Sequence, residues 1–306
     1  MPEHTPPSGE QLEIAHGGQR ATVVTVGGGL RTYTVDGAPV LDGYDGNAMC
    51  DGARGQTLVP WPNRVRDGAW EWQGEKLQLA LTEPEQHNAI HGFVRWVPWQ
   101  VLAHTGDSVT VGCRSYPQPG YPWPLDVRNH YRLGDDGLHV RTEIVNLGTS
   151  PAPVAAGAHP YLTVGTDHVD DAVLRFTAHT WFPTGEQQIP TGREAVEGTD
   201  YDFREPRPIG AVEIDYAFAD LERDGDGLFR LRMAAAEGRA VTFWMNAAYD
   251  YVEVFTGDSL PDPSRRRRGL GVEPMSAPPN AFATGGPFDV LAPDEWWSGE
   301  WGISPG

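Results

Sequence analysis

Apolar and polar residues alternate with a period of two along most of the chain, which is the pattern of strands buried on one face. In Leu138-His139-Val140-Arg141-Thr142-Glu143-Ile144, apolar and β-branched side chains fall on one face and charged ones on the other. The same alternation predicts strands over residues 109–115, 127–133, 239–245 and 249–256, and residues 21–26 are a further candidate strand. Between such runs stand Asp-Gly pairs beginning at Asp36, Asp67 and Asp136, and Gln73-Gly74. Gly and Asp tolerate the positive φ of tight hairpins, so each pair is expected to reverse the chain. Long stretches with apolar residues at i, i+3, i+4 and i+7 are missing, and proline interrupts most candidates, so helices should be few and short. The pattern predicts an all-β fold, a large antiparallel β-sandwich.

The sequence of 306 residues contains no Pro/Ser-rich linker and no repeat of fixed length, so residues 10–306 are expected to form one domain. Residues 1–9 hold three prolines and little to bury, and are expected to form a flexible tail. Lys and Arg number 23 against 42 Asp and Glu, a net charge of −19 that repels phosphate backbones and anionic membranes and excludes nucleic acid as a natural partner. No basic segment followed by an apolar run opens the chain, and no run of about 18 apolar residues occurs, so a cytoplasmic protein without a membrane helix is expected. Cys50 and Cys113 lack CxxC spacing; they suit buried free thiols, with a single disulfide as the alternative.

Polar islands interrupt the strand pattern: Asn63-Arg64, His91-Gly92, Gly157-Ala158-His159-Pro160-Tyr161, Ile214-Asp215 and Val272-Glu273-Pro274. Together they supply an imidazole and a carboxylate suited to proton transfer, and an arginine, a second histidine and an aspartate suited to gripping hydroxyl groups. Taken alone, His159 reads as a hydrogen-bonded structural residue, whereas the apolar flanks of Glu273 point to an enclosed carboxylate. Gly27-Gly28-Gly29 lacks the spacing of a phosphate loop and reads as a turn. His87 and His91 have the spacing of a zinc-protease helix, but Asn88 stands where its glutamate is required, and no metal is expected. Arg265 to Arg268 reads as a solvated loop, with attraction of an anionic sugar as the second reading. Trp61, Trp72, Trp296 and Trp297 read as core or rim aromatics before they read as sugar platforms.

These islands, with Gly43-Tyr44-Asp45, Pro62-Asn63-Arg64-Val65-Arg66-Asp67-Gly68, Asn88-Ala89-Ile90-His91-Gly92 and Ile214-Asp215-Tyr216-Ala217-Phe218, run in the order found in the aldose 1-epimerases, or galactose mutarotases, which the chain resembles from about residue 20 to Trp301-Gly302-Ile303. The resemblance implies a large antiparallel β-sandwich with an open cleft on one sheet. It implies Glu273 as general base, His159 as general acid, and Arg64, His91 and Asp215 as the residues that hold the sugar. It implies no cofactor and no metal, and a small aldose as the partner; a monomer or homodimer is expected. Pro274-Met275-Ser276 stands where the best-known galactose mutarotases often have glutamine two residues after the glutamate, so the chain looks more like the bacterial branch. The substrate is therefore left open between a neutral hexose and a phosphorylated or sulfonated one. A glycoside hydrolase using Asp215 and Glu273, and a non-catalytic sugar-binding protein, are the competing functions. With Glu273 ionised and His159 protonated, a bell-shaped pH dependence is expected, its acidic limb from Glu273 and its alkaline limb from His159.

Overall fold

The computed structural model describes residues 5–236 and 238–306. The segments with the clearest alternation become three successive antiparallel strands, Ser108–Ser115, Leu125–Gly134 and Gly137–Asn146. Along the second of them Leu125, Val127, Asn129, Tyr131 and Leu133 are buried while the residues between are more open, as the period of two requires. These strands lie within a nine-stranded sheet, and the last strand of the chain, Trp296–Pro305, is inserted at its middle between Gly137–Asn146 and Ala240–Met245. A second sheet of eight strands is built around Asp215–Leu221, Tyr251–Phe255 and Leu270–Met275. A four-stranded sheet spans Gln11–His16 to Ala38–Pro39.

One contiguous buried cluster draws on both large sheets, combining Val127, Tyr131, Phe243 and Trp301 from the first with Phe218, Val252, Val254 and Val272 from the second. Asn129 adds a polar tie inside this core, donating from Nδ2 to Thr57 Oγ1 at 2.6 Å and accepting from Thr142 Oγ1 at 2.9 Å. The architecture is the expected antiparallel β-sandwich. Its one α-helix among the described residues, Ala281–Thr284, is a single turn. No helix among them is long and apolar enough to cross a membrane.

Asp36-Gly37 and Gln73-Gly74 form hairpins, and the Asp136 region joins Leu125–Gly134 to Gly137–Asn146. Asp67-Gly68 does not. Both residues have positive φ, but the strand before them pairs with Asn88–Ile90 and the strand after them with Glu75–Gln78. Cys50 and Cys113 are buried free thiols, which removes the disulfide alternative. Of the residues expected as a tail, 1–4 lie outside those described; Ser8 is only 2% exposed, and its carbonyl accepts from Val26 N–H.

The four arginines are not one solvated run. Arg266 and Arg268 are exposed, but Arg265 donates to Asp42 and to the Gly43 carbonyl. Arg267 bridges Asp170 and Asp258 and also donates to the Gly210 and Val212 carbonyls. Charge-assisted bonds of this kind contribute about 1.5–3 kcal/mol each when a partner is left buried. Arg267→Ala is therefore expected to lower stability by about 2 kcal/mol or more, and Arg268→Ala by no more than about 0.5 kcal/mol. Urea unfolding midpoints of the two variants check this; equal midpoints would refute the clamp.

Candidate active site

Strand pairing explains how the acidic residues meet. Directly opposite residues of an antiparallel pair share a face, and residues two apart continue it. In the eight-stranded sheet one row reads Ala217, Glu253, Glu273, and the next reads Asp215, Phe255, Gly271. The intervening valines, Val252, Val254 and Val272, point into the core, so this carboxylate-bearing face is the one away from it. A cleft of about 550 Å³ opens there, within the usual ~300–1,000 Å³ of small-molecule sites. Its lining includes Arg64, His91, Arg95, His159, Asp215 and Glu273, so the structure brings all five residues singled out by sequence to one place.

His159 stands where a strand is broken on purpose by its sequence. Gly157–Ala158 and Tyr161–Leu162 both pair with Leu270–Met275, and His159-Pro160 lies between them. Proline lacks an N–H, but its carbonyl still accepts from Val272 N–H at 2.9 Å, so the break stays anchored. The imidazole is then placed with Nε2 3.1 Å from Glu273 Oε1, both side chains almost fully buried. Its ring stacks on Tyr161 at 4.9 Å between centroids, and the guanidinium of Arg54 also lies over the Tyr161 ring, 4.4 Å from its centroid. Arg54 is itself buried and fixed by Asp42 and Asp51. Among the described residues the His159 Nδ1 has no protein partner, so orientation comes from stacking and from Glu273 rather than from a second carboxylate.

The opposite wall is set by the pairing of Arg64–Arg66 with Asn88–Ile90. Beyond its end, Asn63 and His91 both adopt positive φ and clasp each other: His91 N–H donates to the Asn63 carbonyl, and Asn63 N–H donates to His91 Nδ1, each at 3.0 Å. Gly92 follows with positive φ, and a Cβ there would overlap the Val59 carbonyl oxygen. Arg64 is held by Glu83, with Nε and Nη2 on its carboxylate at 2.9–3.2 Å, and Asn88 braces the same carboxylate at 3.0 Å. Asp215 accepts from Gln188 Nε2 at 3.0 Å.

Burial dominates the electrostatics. It pushes Glu273 up, to about 8, with the Asp215 charge adding to the effect and Arg64 and Arg95 opposing it. It pushes His159 down to about 3, with Arg95 and Arg54 pulling the same way. At neutral pH the pair therefore holds a single proton, with Glu273 Oε1 and His159 Nε2 3.1 Å apart. This corrects the expected order of the pH limbs, because no further acid supports an imidazolium and desolvation disfavours both charged forms. His91 is also driven well below its usual range, by burial and then by Arg95. A neutral His91 whose Nδ1 accepts an N–H carries its proton on Nε2. Although His91, His159 and Glu273 lie within 4.8 Å of one another, that tautomer presents a donor to the cleft where a metal would need a lone pair.

Sequence reasoning did not single out Arg54, Glu83, Arg95 or Glu253. Glu83 carried only a weak signal, its position just before Asn88-Ala89-Ile90-His91. Glu253 carried a clearer one, a carboxylate between Val252 and Val254 in the predicted strand over 249–256. The tryptophan that lines the cleft is Trp96, at 48% exposure; Trp61 and Trp297 are buried in the core.

Comparison with known proteins identifies the family. The aldose 1-epimerase family matches residues 10–304. The uncharacterized protein YihR of Escherichia coli K12 is 34% identical over 285 residues, covering 93% of this chain and 89% of that one. Human galactose mutarotase is 28% identical over 164 residues, 50% of this chain and 46% of that one. Among solved structures, the GalM/aldose epimerase homologue of C. elegans superimposes with a TM-score of 0.85 at 18% identity, covering 97% of this chain and 98% of that one. Galactose 1-epimerase of Lactobacillus acidophilus gives 0.81 at 19%, covering 95% and 93%. The chain belongs to the aldose 1-epimerase family.

Proposed function

We propose that the protein is a mutarotase, interconverting the α and β anomers of a hexopyranose by acid/base-catalysed ring opening and reclosure. The observation that carries this reading is the buried 3.1 Å contact between His159 and Glu273 at the cleft. One proton shared by two groups of different kind is what the reaction needs, since O1 must lose a proton while O5 gains one. Transfer of the shared proton to Nε2 gives a carboxylate and an imidazolium without changing the total. Glu273 takes the O1 proton, His159 gives its proton to O5, the C1–O5 bond breaks and C1=O1 forms. After rotation about C1–C2, O5 attacks the other face of C1, returning its proton to His159, while Glu273 returns a proton to O1. Microscopic reversibility requires this exchange of roles.

Arg64 Nη1 has no protein partner among the described residues, and with His91 Nε2–H and Asp215 it supplies grips for sugar hydroxyls. Arg64→Ala is expected to raise KM about tenfold or more, because a charged hydrogen bond contributes roughly 1.5–3 kcal/mol, with a smaller effect on kcat. Saturation curves from polarimetry check the split; a loss confined to kcat would contradict it. A hydrolase is less well supported, because Glu273 faces a histidine and Asp215 is occupied by Gln188. Glu273 and His159 facing one another likewise favour an enzyme over a passive sugar-binding protein. The reading includes a cytoplasmic location, supported by the two free thiols.

Arg95 supports a second reading, a phosphorylated or sulfonated hexose. It lines the cleft with no carboxylate partner among the described residues, and its Nε is buried without a hydrogen bond. Arg265 to Arg268 do not line the cleft. Anomer exchange by NMR across neutral, 6-phosphorylated and 6-sulfonated aldoses tests both readings. Acceleration for none of them would overturn the proposed function.

A further inference from the structure

Glu253 and Glu273 are directly opposed across two central strands, and each is only 3% exposed. Directly opposite side chains have their Cβ atoms about 4.5–5.5 Å apart, so two buried carboxylates in this register cannot both be ionised at neutral pH. The surroundings decide which one can exchange its proton. Glu273 lines the cleft, faces His159, and has Arg64 and Arg95 favouring its charge. Glu253 lies behind it, away from the cleft lining, with one carboxyl oxygen buried and unpartnered. The groups that face it are Glu273 from one neighbouring strand, Asp215 from the other and Arg64 from the opposite wall. Asp215 is diagonal to it, one step along the same sheet face, a spacing that long side chains can span.

We propose that Glu253 is a positioning residue that acts as a neutral carboxylic acid, donating its O–H to Asp215 and leaving Glu273 as the only member of the opposed pair that exchanges protons with the sugar. The role of Glu273 in this statement rests on the mutarotase reading. Burial, and then the charges of Glu273 and Asp215, hold the Glu253 proton well above the ordinary carboxyl range, with Arg64 opposing too weakly to release it. The acid gives buried Asp215 a donor that an apolar residue would lack, and fixes the aspartate for hydroxyl binding. It also adds no charge beside the catalytic base.

Two measurements test this. Glu253→Gln keeps the size and a donor but carries no titratable proton, and is expected to hold kcat/KM within about threefold, with the alkaline limb of the pH profile unmoved. Glu253→Leu removes the donor and is expected to lose tenfold or more, chiefly through KM. A loss of about 100-fold in Glu253→Gln would show that this carboxyl must ionise, and would overturn the proposal. Independently of activity, the infrared difference between Glu273→Gln and the Glu273→Gln/Glu253→Gln double variant at neutral pH should contain a protonated carboxyl C=O band assignable to Glu253. A carboxylate band there instead would overturn the proposal. Failure of the wild-type protein to accelerate anomer exchange would count against the function, while the infrared band would still decide the protonation of Glu253.

Discussion

Glu273→Gln is expected to lower kcat by about 100-fold or more while KM changes little. Glutamine preserves the volume at a fully buried position and can still donate to or accept from a hydroxyl, so the sugar keeps its contacts with Arg64, His91 and Asp215. What it cannot do is take the O1 proton, and a positioned base contributes about 10²- to 10⁴-fold. The change also removes one carboxyl from a row in which Glu253 stands opposite and Asp215 lies one step along. Stability should therefore hold or rise, which separates loss of chemistry from loss of fold. Polarimetry with thermal unfolding on the same sample makes the comparison. Near-normal turnover in a folded Glu273→Gln protein would remove the central residue of the proposed mechanism.

The parts of the structure legible in the sequence are those governed by local periodicity. Ser108–Ser115, Leu125–Gly134 and Gly137–Asn146 lie close to where alternation predicts them, because each has one face in the core and one outside. The short strands that carry the site gave no such signal. Gly157–Ala158 and Tyr161–Leu162 are too brief for a period to show, and are defined by their common partner Leu270–Met275. Asp67-Gly68 had the residues of a hairpin but not the pairing, since a turn sequence sets local φ and says nothing about which strands lie beside it.

The site divides in the same way. Glu273 and His159 stood out through their neighbours in sequence, and the resemblance supplied their roles. Glu253 looked like the outer face of an ordinary strand; only the register across to Glu273 sets it directly behind the cleft. Arg54 and Glu83 act through contacts to residues remote in the chain, Arg54 over Tyr161 and Glu83 on Arg64. Arg265 and Arg267 mislead for the opposite reason: a charge run suggests solvent, but carboxylates from distant loops take two of the four.

His159→Asn is expected to cost kcat about 10²- to 10⁴-fold, and to reverse the sign of the pH dependence at its alkaline end. In the wild-type protein the active pair holds one proton. Burial raises Glu273 to about 8 and lowers His159 to about 3, so that proton is present between these values. Above about pH 8 it is lost, leaving a carboxylate with no acid beside it, and activity falls. Below about pH 3 a second proton is added, leaving an acid with no base, and activity falls again. Asparagine removes the acid, so the residual rate must rely on Glu273 as base with solvent supplying the proton to O5. That rate should rise as Glu273 ionises, in the range where the wild-type rate declines. The variant also loses the imidazole stacked on Tyr161, so a modest drop in stability is expected and is to be measured separately. Opposite slopes of kcat/KM against pH in the two proteins would tie the shared proton to His159 and Glu273. Parallel slopes would assign the alkaline limb to another group and remove His159 from the proton transfer.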